Sequence, residues 1–335
     1  MTKCLVTGIT GFVGSHLTDY LLTNTGWDIY GLIRWRSPLE NISHLLPRAN
    51  RKDRIHFVYG DLRDGDSINR AVGDTLPDYV FHLAAQSYPK TSFTAPLDTY
   101  ETNIQGTSRL LEALKKHRSD AIIHVCSSSE VYGRVSKEKV PINEECSFHP
   151  ASPYAISKVG TDLIGRFYAE AYGMNVQVTR MFTHTGPRRG DVFAESSFAK
   201  QIAMIETGQI PPIINVGNLD SLRTFADVRD AVRAYHILLT VNPVAGSVYN
   251  IGGTHTCTVG DMLESLISRT TYKGHIEVKI DEKRLRPIDA DLQVPCTDKF
   301  TNHTGWKPEI SFGETITSLL EYWREKVKTQ QFLTR

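Results

Sequence analysis

The chain has 335 residues, of which 40% are hydrophobic and 22% charged, and its 38 basic and 37 acidic residues leave a net charge of +1. This composition is that of a globular protein with room for a large core, and the charge balance excludes a global field for holding nucleic acid or an anionic membrane. No apolar run approaches the roughly 20 residues that span a bilayer. With no signal peptide ahead of the first strand, we expect a cytoplasmic protein without membrane partners. The five cysteines are odd in number and lack metal-ligand spacing, so the sequence predicts neither a disulfide framework nor a metal site.

Short apolar runs alternate with helical patterns through the first half of the chain. The runs predict strands at Cys4–Val6, Ile29–Ile33, Ile55–Val58, Tyr79–Leu83, Ile122–Cys126 and Val176–Met181. Helices are predicted between them at Phe12–Leu22, Thr99–Leu114 and Tyr154–Tyr172. This alternation is typical of βαβ units, and it indicates an α/β protein with a doubly wound parallel sheet of the Rossmann type.

After Thr183 the alternation breaks into loops and shorter elements. A helix over Asp227–Leu239 and a strand over Ser247–Ile251 restore it briefly, and Ile310–Lys326 predicts a final amphipathic helix. We therefore expect a first domain over residues 1–182, to which 224–253 returns. Residues 183–223 and 254–335 are expected to form a smaller, discontinuous C-terminal lobe.

Three glycines follow the first predicted strand in the pattern G-x-x-G-x-x-G. Glycine lets backbone amides approach a pyrophosphate closely, and a helix N-terminus favours its negative charge. The turn therefore predicts a dinucleotide site in the first domain, with contacts at Gly8, Thr10, Gly11, Phe12, Val13 and Gly14. A turn forced by sterics alone is the competing interpretation.

The end of the second strand favours NADP over NAD. An NAD site usually has an acidic residue about 20 positions after the glycine turn, for the ribose 2′-hydroxyl. This chain instead has Arg34 and Arg36, and arginine matches a 2′-phosphate in charge and shape. A solvated basic loop is the alternative. Further cofactor contacts are predicted after the third and fourth strands, at Asp61, Leu62, Leu83, Ala84, Ala85 and Gln86.

Tyr154 and Lys158 lie four residues apart on a predicted helix and so share one face. A lysine ammonium beside a phenol lowers the pKa of the phenol, so the phenolate can take a proton from a substrate hydroxyl while hydride leaves the same carbon. A surface helix would give the same spacing. However, Ser128 and Glu130 directly after the fifth strand place a hydroxyl and a carboxylate at the carboxyl end of the sheet, where α/β sites lie.

The glycine turn, the serines at 127–129 and the Tyr154/Lys158 pair resemble the extended short-chain dehydrogenase/reductase family, in the same order and over nearly the whole chain. The resemblance implies that Ser128 hydrogen-bonds a sugar hydroxyl and that Tyr154 is the base. It implies that Lys158 holds the tyrosine and the nicotinamide ribose. Further cofactor contacts are implied at Met181, His184 and Arg189.

Glu130 aligns with the glutamate of the 4,6-dehydratases in this family, where epimerases commonly have an apolar or small residue. The implied reaction is oxidation at sugar carbon 4, loss of the carbon-5 proton to Glu130, departure of water from carbon 6 and return of hydride there. The cofactor would end as it began. Ser129 stands where some dehydratases have an aspartic acid, so the acid for the departing hydroxyl stays open. A solvated carboxylate is the alternative for Glu130.

The segments 184–190 and 216–219 resemble GDP-mannose dehydratases, which implies a GDP-sugar substrate held by the second lobe. Thr183 departs from the asparagine usual in that group. Arginine suits a diphosphate because it binds bidentately and stays charged. The predicted substrate contacts are Ser87, Lys90, Ser129, Thr183, Arg188, Lys200, Val216, Asn218, Arg223, Arg286 and Asp289.

Segments at 34–35, 41–42, 86–93 and 286–291 resemble a narrower group, the bacterial GDP-D-glycero-α-D-manno-heptose 4,6-dehydratases. The residues themselves do not distinguish a hexose from a heptose. Three other functions stay open: a GDP-4-keto-6-deoxysugar reductase that consumes NADPH, a nucleotide-sugar epimerase or decarboxylase, and a catalytically silent NADP-binding regulator. The family resemblance implies pairing through two long helices of each subunit, so we expect a homodimer or homotetramer.

Overall fold

The computed structural model describes residues 1–288 and 290–332. Its strands are β1 (Lys3–Thr7), β2 (Asp28–Ile33), β3 (Ile55–Tyr59), β4 (Tyr79–His82), β5 (Ile122–Cys126), β6 (Asn175–Met181), β7 (His184–Thr185), β8 (Ile213–Val216), β9 (Leu222–Asp227), β10 (Val248–Ile251), β11 (His255–Thr258), β12 (Glu277–Ile280) and β13 (Leu292–Gln293). Its helices are α1 (Phe12–Asn24), α2 (Leu46–Asn50), α3 (Gly65–Thr75), α4 (Pro89–Thr94), α5 (Pro96–Tyr100), α6 (Gly106–His117), α7 (Pro153–Tyr172), α8 (Ala194–Glu206), α9 (Val228–Thr240), α10 (Val259–Ile267), α11 (Asp298–Thr304) and α12 (Phe312–Lys328). Among the helices in these two ranges, none is long and apolar enough to cross a membrane.

In the described part of the chain, seven parallel strands form the main sheet, in the order β10-β6-β5-β4-β1-β2-β3. Helices α1 and α9 cover one face of this sheet, and α3, α6 and α7 cover the other. Because both faces are covered, the strands are continuous apolar runs and do not alternate with polar residues. The predicted doubly wound α/β fold is confirmed.

The strands of this sheet were predicted to within one residue at each end. Since they run parallel, the residues that follow Thr7, His82, Cys126 and Met181 meet at one edge of the sheet. Strand β10 lies beside β6, so the segment after α9 returns to the main sheet. This carboxyl edge is where ligands bind in open α/β sheets.

The second lobe has its own apolar core, in which Phe198, Met262, Leu319 and Trp323 pack together. Helices α8, α10 and α12 supply most of this core. The expectation of loops and shorter elements after Thr183 is wrong for α8, a helix of 13 residues. Every α8 residue from Glu195 to Ile205 is buried. These buried residues include polar ones, Glu195, Ser196, Ser197, Lys200 and Gln201, so no division into an apolar buried face and a polar exposed face reveals the helix in the sequence.

The helix predicted at Thr99–Leu114 is interrupted. A π-helical turn at Glu101–Gln105 joins α5 to α6. Asn103 is buried in this turn, and its carbonyl accepts hydrogen bonds from the hydroxyls of Thr107, at 2.6 Å, and of Thr161 on α7, at 3.1 Å. Such π turns are frequent at functional sites, and this one packs against the helix that carries Tyr154 and Lys158.

Candidate active site

The glycine turn lies between β1 and α1 and leaves no room for side chains. Gly8 has φ of +75°, and a Cβ on it would lie 2.8 Å from the backbone nitrogen of Ala84. A Cβ on Gly14 would lie 2.2 Å from the carbonyl oxygen of Gly8. Helix α1 begins at Phe12, and the residue before it, Gly11, makes no side-chain cap. The first amide groups of α1 are therefore available to an anion, as a pyrophosphate site requires.

A cavity of about 790 Å³ opens at the carboxyl ends of β2 and β3. Its lining includes both predicted arginines, Arg34 and Arg36, together with Asp61. It also includes Arg63 and Arg70, which the sequence did not single out. The four guanidinium groups that line this cavity match a phosphate on the adenosine ribose in charge. Arg70 lies on α3, a helix that had not been predicted. Nothing in the sequence therefore indicated that Arg70 lines the same cavity as Arg34 and Arg36.

The segment 83–86 runs directly past the glycine turn. The backbone N–H groups of Leu83 and Ala84 donate to the hydroxyl of Thr7, at 3.2 and 3.1 Å. The N–H of Gln86 donates to the side-chain oxygen of Asn103, at 2.8 Å. The chain therefore presents small side chains where β4 ends and where a dinucleotide would cross the sheet edge. Asn103 was missed, because it stands among other polar residues, Glu101, Thr102 and Gln105, and no local pattern distinguishes it from them.

Tyr154 and Lys158 lie in the first two turns of α7. The hydroxyl of Ser152 caps this helix by accepting the N–H of Ala155, at 3.0 Å, and Pro153 occupies the first turn. Both reactive side chains are buried. The ammonium of Lys158 donates to the carbonyl of Cys126 at the end of β5, at 2.7 Å, and lies 6.0 Å from the centre of the Tyr154 ring. The predicted pair is therefore directed at the carboxyl edge of the sheet.

Ser128 completes this group, because its hydroxyl lies near the Tyr154 phenol and favours the ionised form of that phenol. Burial raises the pKa of Tyr154 well above its ordinary value, while the nearby Ser128 hydroxyl and the Arg189 charge lower it. Burial lowers the pKa of Lys158. The phenol is thus protonated in the protein without ligands, and a positive charge brought beside it would make it a stronger acid.

Glu130 lies two residues beyond Ser128, in a single 3₁₀ turn at Ser129–Val131. Its N–H donates to the Ser128 hydroxyl at 3.2 Å, and its carboxylate is 3.8 Å from the guanidinium of Arg223 on β9. The two side chains are only 15% and 13% exposed. A freely solvated carboxylate does not fit this environment. The ion pair joins the main sheet to the second lobe across the site.

His184 and Arg189 follow β6 and lie beside the glycine turn. The His184 ring stacks on Phe12 with the centroids 5.8 Å apart, and its Nδ1–H donates to the carbonyl of Phe182 at 3.1 Å. The Arg189 guanidinium lies 3.6 Å from the centre of the Phe193 ring and 3.2 Å from the carboxylate of Glu195. Burial lowers the pKa of Arg189. Glu195, the acidic partner, had no signal in the sequence because α8 was not predicted.

One buried nitrogen atom beside the glycine turn, Nε2 of His184, makes no hydrogen bond within the described part of the chain. Buried polar atoms are nearly always satisfied in native proteins, so this atom fits a site completed by a polar ligand. Together with the glycine cradle and the arginine-lined cavity, it fits a phosphorylated dinucleotide. Met181, also predicted to contact it, is buried at the end of β6.

The predicted substrate contacts are distributed over both lobes. Ser87, Ser129 and Thr183 follow the ends of β4, β5 and β6 and lie at the same sheet edge. Val216 is buried at the end of β8, and Asn218 follows it in a turn, where its side chain accepts the N–H of Asp220 at 3.0 Å. Arg286 lies between β12 and β13. Asp289 lies outside the described residues.

Three predicted substrate cations bind other groups of the protein. Arg188 pairs with Asp19 on α1 at 2.7 Å, and Lys200 pairs with Asp191 at 2.8 Å. The ammonium of Lys90 donates to the carbonyl of Lys283, at 2.7 Å. Arg223 is placed directly beside a predicted catalytic group, Glu130, and the roles of the other four predicted substrate cations, Lys90, Arg188, Lys200 and Arg286, remain predictions.

Known proteins resemble this chain over nearly its full length. The sequence model of the family described as GDP-mannose 4,6 dehydratase matches residues 5–319. A GDP-6-deoxy-D-mannose reductase from Pseudomonas aeruginosa is 32% identical, over 98% of this chain and 99% of the relative. GDP-mannose 4,6 dehydratase 1 from Arabidopsis thaliana is 32% identical, over 98% of this chain and 91% of the relative.

The fold comparison points the same way. The structure of RMD from Pseudomonas aeruginosa complexed with NADPH has a TM-score of 0.80 and 31% sequence identity, with 97% of this chain and 100% of that chain covered. The family model matches nearly the full length of the chain, and the relatives are more than 30% identical to it. These matches show membership of a family and not only a similar fold. The chain belongs to the GDP-mannose 4,6 dehydratase family.

Proposed function

We propose that this protein is a GDP-sugar 4,6-dehydratase that works with NADP. The observation that carries the proposal is the position of Glu130, whose mostly buried carboxylate lies just after β5, two residues beyond Ser128 and beside Arg223. A second base beside a hydride-transfer pair is what an elimination needs and a simple oxidation or reduction does not. The full-length similarity to GDP-mannose 4,6 dehydratases supports this assignment.

The oxidation half of the reaction uses Ser128, Tyr154 and Lys158. The chemistry that NADP supplies when bound is the acceptance of hydride from sugar carbon 4 and its later return to carbon 6. Tyr154 takes the proton of the carbon-4 hydroxyl, and Ser128, which lies near the phenol, orients that hydroxyl. Lys158, anchored on the Cys126 carbonyl, supplies the positive charge that stabilises the phenolate.

The elimination half uses Glu130. Oxidation at carbon 4 makes the carbon-5 proton acidic, so a carboxylate is a sufficient base. Glu130 takes this proton, the electron pair of the C5–H bond forms a double bond to carbon 6, and the carbon-6 hydroxyl leaves as water. The two protons taken by Tyr154 and Glu130 balance the two that are needed, one on the departing hydroxide and one on carbon 5 after hydride returns to carbon 6. Arg223 holds the Glu130 carboxylate from the side of the second lobe.

The second lobe is proposed to hold the GDP portion. Arg223 and Lys200 are both mostly buried cations of this lobe, and a diphosphate is favoured by positive charge, most of all by a guanidinium group. The proposal covers GDP-mannose and GDP-D-glycero-α-D-manno-heptose as substrates. NADP is supported by Arg34 and Arg36 in the cavity beyond β2.

Incubation of the purified protein with each of these two GDP-sugars, without added reductant, tests the proposal. We expect a product that has lost one water, with no net change in NADP, and the faster substrate identifies the sugar. Mass spectrometry of the nucleotide sugar and absorbance of NADPH are the readouts. Failure of both substrates to lose water would overturn the dehydratase assignment.

The second candidate is a GDP-4-keto-6-deoxysugar reductase, which the similarity to the Pseudomonas aeruginosa reductase favours. It requires Ser128, Tyr154 and Lys158 but assigns no role to Glu130. Consumption of NADPH with a GDP-4-keto-6-deoxysugar, without dehydration of any GDP-sugar, is its signature. An intact buried tyrosine and lysine argue against a silent NADP-binding regulator.

We infer that two copies pair through α7 and the neighbouring α5. The outer face of α7 carries Ile156, Leu163 and Phe167, which are 45%, 47% and 53% exposed, and Leu97 on α5 is 77% exposed. These residues recur at helical spacing along one face, and a strip of exposed apolar side chains is typical of an interaction surface. A homodimer would bury it.

Phe167→Glu is expected to weaken this dimer on the order of thirtyfold, because burying a phenylalanine contributes about 2 kcal/mol. Light scattering across a concentration series measures the mass. Val278→Glu, at a residue that is 42% exposed on β12 of the second lobe, serves as the matched control and should leave the dimer intact. A wild-type protein with a concentration-independent monomer mass contradicts the pairing.

A further inference from the structure

A chain of buried hydrogen bonds connects the glycine turn to the catalytic helix, and His82 lies at its centre. Nδ1 of His82 is 2.9 Å from the hydroxyl oxygen of Thr7, and Nε2 is 2.9 Å from the hydroxyl oxygen of Thr107. All three side chains are buried. The proposed reaction uses none of them.

The neighbours of His82 determine which of its nitrogens carries the proton. The Thr7 oxygen already accepts the N–H groups of Leu83 and Ala84, so its own hydrogen is free to be donated to Nδ1. The Thr107 hydroxyl donates to the Asn103 carbonyl at 2.6 Å, so it accepts from Nε2. His82 is therefore neutral, with its proton on Nε2, as this network assigns it.

The far end of the chain reaches the reacting residues. The Asn103 side chain accepts the N–H of Gln86 at 2.8 Å and donates to the Gln86 carbonyl at 3.0 Å. It also donates to the hydroxyl of Ser157 at 2.8 Å. Ser157 lies next to Lys158, and its hydroxyl donates to the carbonyl of Tyr154 at 2.7 Å. One continuous network thus holds both ends of the cofactor segment 83–86 and the first turn of α7.

The surroundings of His82 keep it neutral. Burial, assisted by the positive charge of Lys158, lowers the pKa of His82 to about 3. His124, on the adjacent strand β5, is likewise held neutral by burial, with its pKa lowered to about 3. A second proton, on Nδ1, would point at the hydrogen that the Thr7 hydroxyl donates. This series of hydrogen bonds therefore requires a neutral His82 ring.

We propose that His82 is a positioning residue, which sets the distance between the glycine turn, the segment 83–86 and α7 and thereby determines the affinity for NADP. This inference rests on the proposed function, in which the site holds NADP. A residue that merely filled the core would change the stability of the fold and leave the affinity for the cofactor unaltered.

The experiment compares NADP dissociation constants by calorimetric titration, at a temperature where circular dichroism shows every variant folded. His82→Gln and Thr107→Val each remove a link of the chain and should raise the dissociation constant about tenfold, the effect of one net hydrogen bond. His124→Gln is the matched control, since that ring bonds Thr179 on β6 and lies outside the chain. His124→Gln should change the NADP dissociation constant less than about twofold, despite a similar loss of thermal stability. Thr107→Ser, which keeps the hydroxyl, should bind NADP as tightly as the wild type.

Equal changes in the dissociation constant for His82→Gln and His124→Gln would overturn the inference, and so would tight NADP binding in Thr107→Val. If His82→Gln does not fold, the comparison of Thr107→Val with Thr107→Ser decides the question alone. A wild-type protein that binds no NADP would overturn both this inference and the proposed function. Tight binding by the wild type together with unchanged variants would overturn the inference only.

Discussion

Glu130→Gln is expected to lower the formation of the 4-keto-6-deoxy product about 10²- to 10⁴-fold, the usual contribution of a positioned base. The substitution keeps the volume of the side chain but removes its ability to take the carbon-5 proton. The Glu130 side chain is mostly buried beside Arg223, so bulk water has little access to act as the base in its place. Exchange of the carbon-5 hydrogen with deuterium from solvent, followed by nuclear magnetic resonance, measures the affected step directly.

The control for this variant is Glu138→Gln, at an exposed carboxylate in the same segment of the chain, which should retain wild-type turnover. Binding of the GDP-sugar to Glu130→Gln should stay within about threefold of the wild type if Glu130 acts only on the proton. Full product formation and full carbon-5 exchange in Glu130→Gln would falsify its role as the base. Unimpaired reduction of a GDP-4-keto-6-deoxysugar by the same variant would instead favour the reductase.

Asp162→Asn is expected to lower the free energy of unfolding by about 3–5 kcal/mol, the usual cost of leaving one partner of a buried ion pair without the other. Asp162 on α7 accepts from Arg180 on β6 through both oxygens, at 2.8 and 3.1 Å. The side chains are 0% and 3% exposed. Arg180 also donates to the hydroxyl of Tyr132, at 2.9 Å, so the pair supports the segment that carries Glu130. Urea denaturation with an unchanged m-value measures the loss.

Arg166→Gln provides the matched control for this pair. Arg166 approaches the same carboxylate of Asp162 from the outside, at 3.8 Å, with its side chain 46% exposed. Exposed ion pairs contribute about 0–1 kcal/mol, so this variant should be nearly as stable as the wild type. Comparable losses in the two variants, or a loss below about 1 kcal/mol in Asp162→Asn, would show that the buried pair does not stabilise the fold.

The residues that could be predicted are those attached to strand ends. The spacing of Gly8, Gly11 and Gly14 and the four-residue spacing of Tyr154 and Lys158 are local patterns. Once parallel strands are inferred, their carboxyl ends must share one edge, which places these patterns side by side. Hydrophobic runs buried on two faces carry a strong signal of this kind, so the strands were predicted almost to the residue.

Other parts of the site depend on contacts between distant segments and have no local pattern. The Glu130–Arg223 pair joins residues 93 positions apart, and the partner of Arg189 lies on α8, whose burial on all sides removed its periodicity. The π turn that exposes the Asn103 carbonyl is likewise stabilised by packing against α7, since its hydrogen-bond partner Thr161 comes from that helix.

The sequence by itself determined the α/β class, the positions of the main-sheet strands along the chain, and the chemical types present at the edge of the sheet, because burial periodicity and glycine geometry act over a few residues. Only the tertiary structure decided which charges meet, that Arg223 holds Glu130 while Arg188 pairs with Asp19, and that His82 links the glycine turn to α7. Ion pairs and buried hydrogen bonds form between whichever groups the packing brings within about 3–4 Å, and that distance depends on the whole fold.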